Sequence, residues 1–275
     1  MKRLIKTLCK TYSLNPSKRK GQNFLITPSF ENAILSALGN FKSKSVFEIG
    51  PGFGFLTQRL LQAGYEVTAV EIEEVLVQHL KQTLKDFKNC KILHDDFLKL
   101  KLDSQLKRSV LVGNIPYSIS SPILQKMCEN SSLFEGAVLM FQKEFAEKLI
   151  LADQKFPQTR LALLVNLCFK VEKYLIVDRL NFWPAPKVDS AILIFSNLNQ
   201  KIDTMLVEDI SKICFRFRRK TLSNNLKGSI CARNLAAILE LLGVQPEKVR
   251  ADKVDIDTWR KLFSTIKSDR LEFKG

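Results

Sequence analysis

The sequence predicts an α/β fold with a parallel sheet, followed by a small all-helical C-terminal domain. Two observations carry the first part. Short apolar runs alternate with helical patterns through the middle of the chain, and a glycine-rich turn, Gly50-Pro51-Gly52-Phe53-Gly54, follows the first strong run. Repeated β-α units of this kind imply a parallel sheet with helices on both faces. The third observation is a change of pattern. Beyond the polar stretch Ser196-Asn197-Leu198-Asn199-Gln200 the periodicity is helical and no convincing strand remains. The expected division is therefore 1–198 and 199–275.

Taken in order, 44–49 reads as a buried strand ending in the glycine turn, and 56–62 as the helix after it, closed by Gly64. Residues 66–71 form a second strand, 75–87 an amphipathic helix, 91–93 a third strand and 110–112 a fourth. A fifth strand at 136–140 precedes a helix carrying Glu144, Glu147 and Lys148. Residues 161–168 are a further apolar stretch, and 169–176 and 190–195 are strand-like. Helices are expected at 203–217, 222–228, 234–242 and 257–265.

Composition narrows the function. The 275 residues are 45% hydrophobic, enough for a sizeable core without staples. Six scattered cysteines, no C-x-x-C and two histidines argue against a zinc site and for free thiols in a reducing compartment. Met1-Lys2-Arg3-Leu4-Ile5-Lys6 has no apolar signal region, and no run reaches the ~18 apolar residues of a membrane span. A cytoplasmic protein without membrane contact is expected. The net charge is +15, unevenly spread: residues 1–30 carry seven Lys/Arg and no acid, and 201–275 carry sixteen basic and ten acidic side chains. Two basic ends around a near-neutral middle suit a polyphosphate partner, from which counterions would be released.

The glycine turn reads G-x-G-x-G rather than the dinucleotide pattern G-x-G-x-x-G, since Phe55 stands where the third glycine should be. Glycines remove Cβ atoms where a nucleoside cofactor passes. Glu71, seventeen positions after Gly54, closes the second strand. There a carboxylate can accept from both ribose hydroxyls. Glu48, just before the turn, would repel a pyrophosphate and attract a sulfonium, which favours S-adenosylmethionine over NAD. After the third strand, Asp96 can accept an adenine amine with Phe97 near its ring, while Asp95 can instead cap the next turn.

Gly113-Asn114-Ile115-Pro116-Tyr117 ends the fourth strand. The Asn114 side-chain oxygen and the Ile115 carbonyl, freed from sheet pairing by Pro116, can accept the two hydrogens of an adenine amine and aim its lone pair at a methyl group. Positioning then carries most of the catalysis, and Tyr117 stacks on the base. Phe182-Trp183-Pro184-Ala185-Pro186 is a proline-stiffened loop that would present Phe182 or Trp183 outward to the other face of a flipped base, or else form a buried aromatic corner. Arg216-Phe217-Arg218-Arg219-Lys220 packs four positive charges into five residues and reads as a phosphate-contacting patch. Lys18, Arg19 and Lys20 read similarly.

These motifs resemble the ribosomal RNA adenine N6,N6-dimethyltransferase family. The resemblance rests on Gly21-Gln22-Asn23-Phe24-Leu25, the 48–54 turn, Glu71, Asp96, 114–117, 182–190, 218–226 and Arg250-Ala251-Asp252-Lys253, and spans roughly residues 20 to 265. It implies a Rossmann-like class I S-adenosylmethionine-dependent methyltransferase domain with a helical RNA-binding domain behind it. It implies cofactor contacts at Asn23, Leu25, Gly50, Gly52, Glu71, Asp96 and Asn114, and base stacking by Tyr117 and Phe182. The Val188-Asp189-Ser190 and 219–226 runs favour the small-subunit branch, which dimethylates two adjacent adenines near the 3′ end of 16S rRNA in the immature subunit. Ile115 occurs also in the large-subunit (23S) branch that confers macrolide resistance. A binding factor without catalysis is disfavoured by the intact Glu71, Asn114 and Tyr117. A monomer is expected.

Overall fold

The computed structural model describes residues 1–16, 23–27, 29–103, 106, 108–151, 156–227, 238, 240 and 248–266. The chain divides into two compact units, residues 1–147 with 172–197 and residues 148–171 with 198–275. Residues 148–171 thus group with the second unit, whereas the sequence division at 198 had given them to the first.

In the first unit, helix α1 (Lys2–Thr11) is followed by the short strand β1 (Phe24–Leu25) and helix α2 (Ser29–Leu38). Then come β2 (Ser45–Ile49), α3 (Phe55–Gln62), β3 (Glu66–Glu71), α4 (Glu74–Thr83), β4 (Cys90–His94) and β5 (Ser109–Asn114). A single 3-10 turn at Tyr117–Ile119 leads into α5 (Ser120–Glu129), β6 (Phe134–Gln142) and α6 (Lys143–Leu149). β7 (Phe169–Val177), β8 (Phe182–Trp183) and β9 (Ser190–Asn197) complete the strands. The main sheet runs β4-β3-β2-β5-β6-β9-β7. β4 through β6 pair in parallel, and β9 runs antiparallel to β6. The five predicted parallel strands are therefore present in an α/β sheet with one antiparallel partner. They were recognisable because strands buried on both faces are continuous apolar runs: Val110, Leu111 and Val112 are fully buried, as are Ala137, Val138 and Leu139.

Helix α1 had no sequence forecast. It buries Ile5 and Cys9 in a satellite cluster with Phe53 and Leu76. The Tyr12 hydroxyl just beyond its end pairs with His79 Nδ1 of α4 at 2.9 Å.

Apart from the start of β7 (169–171), the described part of the second unit is helical. It contains α7 (Arg160–Cys168), α8 (Thr204–Cys214), α9 (Leu222–Leu226) and a final described helix, Ile256–Thr265. Thr159, Asp203 and Asp255 cap three of these by accepting from the N–H of Ala162, Leu206 and Thr258. Residues 162–168 of α7 are all buried, so the helix shows no polar face and no helical period. Trp259, fully buried, stacks between Phe215 and Phe263 at centroid distances of 6.1 and 5.9 Å. The helix expected at 234–242 lies mostly outside the described residues.

Candidate active site

Four parallel strands end at one cavity of about 550 Å³. β2 delivers Gly50, β3 delivers Glu71, β4 leads to Asp95 and Asp96, and β5 delivers Asn114. Strand order reverses direction between β2 and β5, which is where open α/β sheets leave a crevice at their carboxyl ends. Asn23, Leu25, Gly50, Gly52, Glu71, Asp96 and Asn114, named from the sequence as cofactor contacts, all line this cavity.

The turn after β2 needs its glycines. Gly50 has φ +64°, a left-handed conformation that side chains rarely adopt, and a Cβ built there meets nothing within 4 Å. The backbone is pinned to β3: the Gly50 N–H donates to the Val70 carbonyl at 2.9 Å and the Gly52 N–H to Glu71 Oε2 at 3.1 Å. Gly113 answers a different constraint. A Cβ there would stand 2.8 Å from the Ile49 carbonyl oxygen, so β5 can lie against β2 only with glycine before Asn114.

The wall is acidic. Glu31, Glu48 and Glu71 are buried, Glu73, Asp95 and Asp96 join them, and among the described lining residues there is no Lys, Arg or His. Glu48 is 2% exposed and accepts from the Thr57 hydroxyl at 2.8 Å. Burial pushes its carboxyl up to about 7, against the Thr57 hydrogen bond and with further help from the negative charges of Glu71 and Glu31. Glu31, in the first turn of α2, is also raised by burial and partly restrained by the Arg59 guanidinium. The sequence reading missed Glu31, because only the packing of α2 brings it to the cavity.

Glu71 is raised by burial too, opposed by backbone hydrogen bonds. Its Oε1 accepts the N–H groups of Ile72 and Glu73 at 2.9 and 3.0 Å, and its Oε2 accepts Gly52. A carboxylate has about four acceptor sites, so one remains, on Oε2. Asp96 is half-buried and accepts from the Leu98 N–H at 2.9 Å, while the exposed Asp95 accepts from the N–H of Asp96 at 2.7 Å. Lys126 of α5, also missed, donates to the carbonyls of Leu98 and Leu100 and lies over the Phe97 ring at 5.4 Å, fixing this loop.

Asn114 Nδ2 donates to the Asn23 carbonyl at 2.8 Å. A carbonyl only accepts, so the amide orientation is determined and Oδ1 is turned to other partners. Pro116, Ser118 and Ile119 continue the cavity wall, while Tyr117 is half-buried beside it. The Tyr117 hydroxyl pairs with Ser190 Oγ at 2.8 Å. Burial raises the phenol, with the Ser190 hydrogen bond opposing, so it stays protonated at neutral pH.

Of the two readings of its loop, outward presentation or a buried aromatic corner, Phe182 takes the buried one. It is 2% exposed and belongs to the main core beside Ile34 and Val177. The cause is pairing between distant segments: β8 is antiparallel to β1, with Leu25 opposite Phe182 and Phe24 opposite Trp183. Trp183 remains partly exposed. Lys18, Arg19 and Lys20 lie outside the described residues. Arg216, Arg218, Arg219 and Lys220 are all exposed, on the second unit. Among the described residues no group of three or more His, Cys, Asp or Glu could hold a metal, and no helix is long and apolar enough to cross a membrane.

A cavity of this volume, walled by carboxylates and a glycine turn at a strand-order switch, fits a cationic nucleoside cofactor and opposes a polyphosphate one. Together with the Asn-x-Pro-aromatic strand end, it defines an α/β transferase of the S-adenosylmethionine-dependent class. Comparison with known proteins agrees. The family described as Ribosomal RNA adenine dimethylase matches residues 14–268. The chain is 37% identical over 256 residues to the Ribosomal RNA small subunit methyltransferase A of Mycoplasma mobile, covering 91% of this chain and 98% of that one. It is 34% identical over 278 residues to the protein of that name from Streptococcus equi subsp. zooepidemicus, covering 95% and 96%. Among solved structures, a dimethyladenosine transferase from Plasmodium falciparum superposes with TM-score 0.72 at 30% identity, covering 87% of this chain and 95% of that one. The 23S rRNA methyltransferase ErmE superposes with TM-score 0.67 at 29% identity, covering 88% and 98%. The chain belongs to the ribosomal RNA adenine dimethylase family, which makes it an rRNA adenine dimethyltransferase.

Proposed function

We propose that this protein dimethylates N6 of two adjacent adenines near the 3′ end of 16S rRNA, acting as a cytoplasmic monomer on the immature small subunit. The small-subunit assignment is supported by the relatives named above, which match nearly end to end. The cofactor reading rests on one observation above all: among the described residues, the cavity is lined by six carboxylates and no basic side chain. S-adenosylmethionine, when bound, supplies an electrophilic methyl group on a cationic sulfur. Asn23, Leu25, Gly50, Gly52, Glu71, Asp96 and Asn114 are the residues proposed to hold it.

The chain's own contribution is placement. Asn114 Oδ1, aimed by the Nδ2 bond to Asn23, accepts one hydrogen of the target amine, and the Ile115 carbonyl accepts the other. Pro116 lacks the N–H that would extend the strand and turns the backbone away. Tyr117 stacks on the base, held by Ser190, and its protonated phenol is unsuited to proton abstraction. Phe182 supports this site from the core, through the β8 pairing that holds β1 at Leu25. Lys18, Arg19, Lys20, Arg216, Arg218, Arg219 and Lys220 are proposed to hold RNA phosphates without reading sequence.

Mass spectrometry of both ribosomal RNAs, from cells with and without the gene, tests this reading. Loss of two dimethyladenosines from the 16S RNA is expected. Loss from 23S RNA instead would assign the chain to the other branch.

A further inference from the structure

The loop between α8 and α9 is more than a run of charge. Phe217 sits in the middle of Arg216, Arg218, Arg219 and Lys220, and all five residues are exposed. Phe217 is 46% exposed, unusual for a large apolar side chain that no periodicity requires there. Two of its charged neighbours face its ring: the Arg216 guanidinium carbon is 5.2 Å and Lys220 Nζ 4.4 Å from the ring centroid. Among the described residues none of the four cations is in an ion pair.

The loop is held in shape from below. Asn225 of α9 is buried; its Oδ1 accepts the Phe217 N–H at 3.2 Å. Its Nδ2 faces the carbonyls of Cys214 and Phe217 at 3.0 and 3.2 Å, with that of Lys220 at 3.4 Å. The Lys220 N–H closes back on the Phe217 carbonyl at 2.9 Å, and the Leu222 N–H on Val249 at 2.8 Å. One buried amide therefore fixes both sides of a turn whose tip presents an aromatic ring among unpaired cations. A loop backbone held in this way loses little freedom on binding.

We infer that Phe217 is a stacking platform for an unpaired RNA base, with Arg216, Arg218, Arg219 and Lys220 holding the phosphates on either side of it. Stacking on an aromatic ring inside a positive surface is how single-stranded nucleic acid is gripped without base readout. The inference rests on the RNA reading above and adds a base-contacting residue to a patch otherwise assigned to phosphates. It places single-stranded RNA, rather than duplex or an acidic protein segment, on this face.

The test uses the full chain and two probes: a fluorescent single-stranded RNA decamer and an inorganic polyphosphate of similar charge. Phe217→Ala should weaken the decamer roughly fivefold or more, the lower range for loss of one base–aromatic stack. Polyphosphate binding should be unchanged, and so should the slope of log K against log salt, because no phosphate contact is removed. Phe217→Leu, which keeps apolar bulk without a ring, should behave like the alanine variant, and Phe217→Trp should restore binding. Decamer affinity within twofold of wild type in Phe217→Ala would overturn the inference. Equal loss of both probes would also overturn it, since the ring would then only order the cations. Failure of the wild-type chain to bind either probe would count against the RNA reading of the patch itself.

Discussion

The side-chain amide of Asn114 donates to the backbone carbonyl of Asn23 at 2.8 Å, across 91 positions of sequence. One contact thereby joins the end of β5 to the segment that enters β1. It fixes which end of the Asn114 amide is available to a substrate amine. Asn114→Ala should lower methyl transfer by about 10²–10³-fold, the usual loss for one preorganised electrostatic partner. RNA affinity should stay near wild type, because the interaction matures at the transition state. Asn114→Asp should be at least as slow, since an oxygen would then face the Asn23 carbonyl. Single-turnover rates with saturating RNA check both.

Tyr117 has two separable parts, a ring and a hydroxyl bonded to the fully buried Ser190. Tyr117→Phe keeps the ring and leaves Ser190 unpaired, so it should cost about 1–3 kcal/mol of stability with a modest loss of turnover. Tyr117→Ala should lose far more turnover. Adding Ser190→Ala to Tyr117→Phe should recover much of the stability, because removing both partners is nearly neutral. Denaturant melts and initial rates on the four proteins decide it. A loss of turnover in the phenylalanine variant as large as in the alanine variant would contradict stacking and assign a proton-transfer role to the hydroxyl.

Glu48 predicts a pH dependence. Its folded value of about 7 lies above the ordinary 4.5, so the native state holds a proton that the unfolded chain releases between those values. Stability should therefore fall as pH rises from about 4.5 to 7, by roughly 3 kcal/mol from this group. Glu48→Gln should remove that slope. A cation in the cavity favours the ionised form, so S-adenosylmethionine should bind more tightly as pH rises toward 7 and should release a proton. Its demethylated, uncharged thioether product should show little of either effect. Calorimetry in buffers of different ionisation enthalpy counts the protons.

The basic loop of the second unit predicts a salt effect. Neutralising Arg218, Arg219 and Lys220 should weaken RNA binding and flatten the slope of log K against log salt by about 2, at 0.7–0.9 per phosphate contact. Cofactor affinity should not change. An unaltered slope would make these side chains a solvated surface and move the search to the N-terminal segment.

The parallel strands were readable because each is a short apolar run ended by a glycine or a polar residue: Ile49 before Gly50, Val70 before Glu71, Val112 before Gly113. The same logic located most of the cavity wall, since strand ends carry it. What stayed hidden depends on packing between distant segments. Glu31 reaches the cavity only because α2 folds against the sheet, and Lys126 reaches the loop after β4 only because α5 passes it. Sequence left Phe182 open between outward presentation and a buried corner, and only the pairing of β8 with β1, 157 positions away at Leu25, decides for the buried corner. Helix α7 was unassigned because a helix buried all round carries no helical period.

The central claim is dimethylation of adenine in the small-subunit RNA. Purified protein, labelled S-adenosylmethionine and small subunits lacking the modification suffice to test it. The RNA is then digested and its nucleosides are mapped by mass spectrometry. The account predicts four methyl groups per subunit, as two adjacent N6,N6-dimethyladenosines near the 3′ end of 16S RNA, and none in the Asn114→Ala control over the same interval. Methyl transfer to 23S RNA alone, or to any atom other than adenine N6, would contradict it.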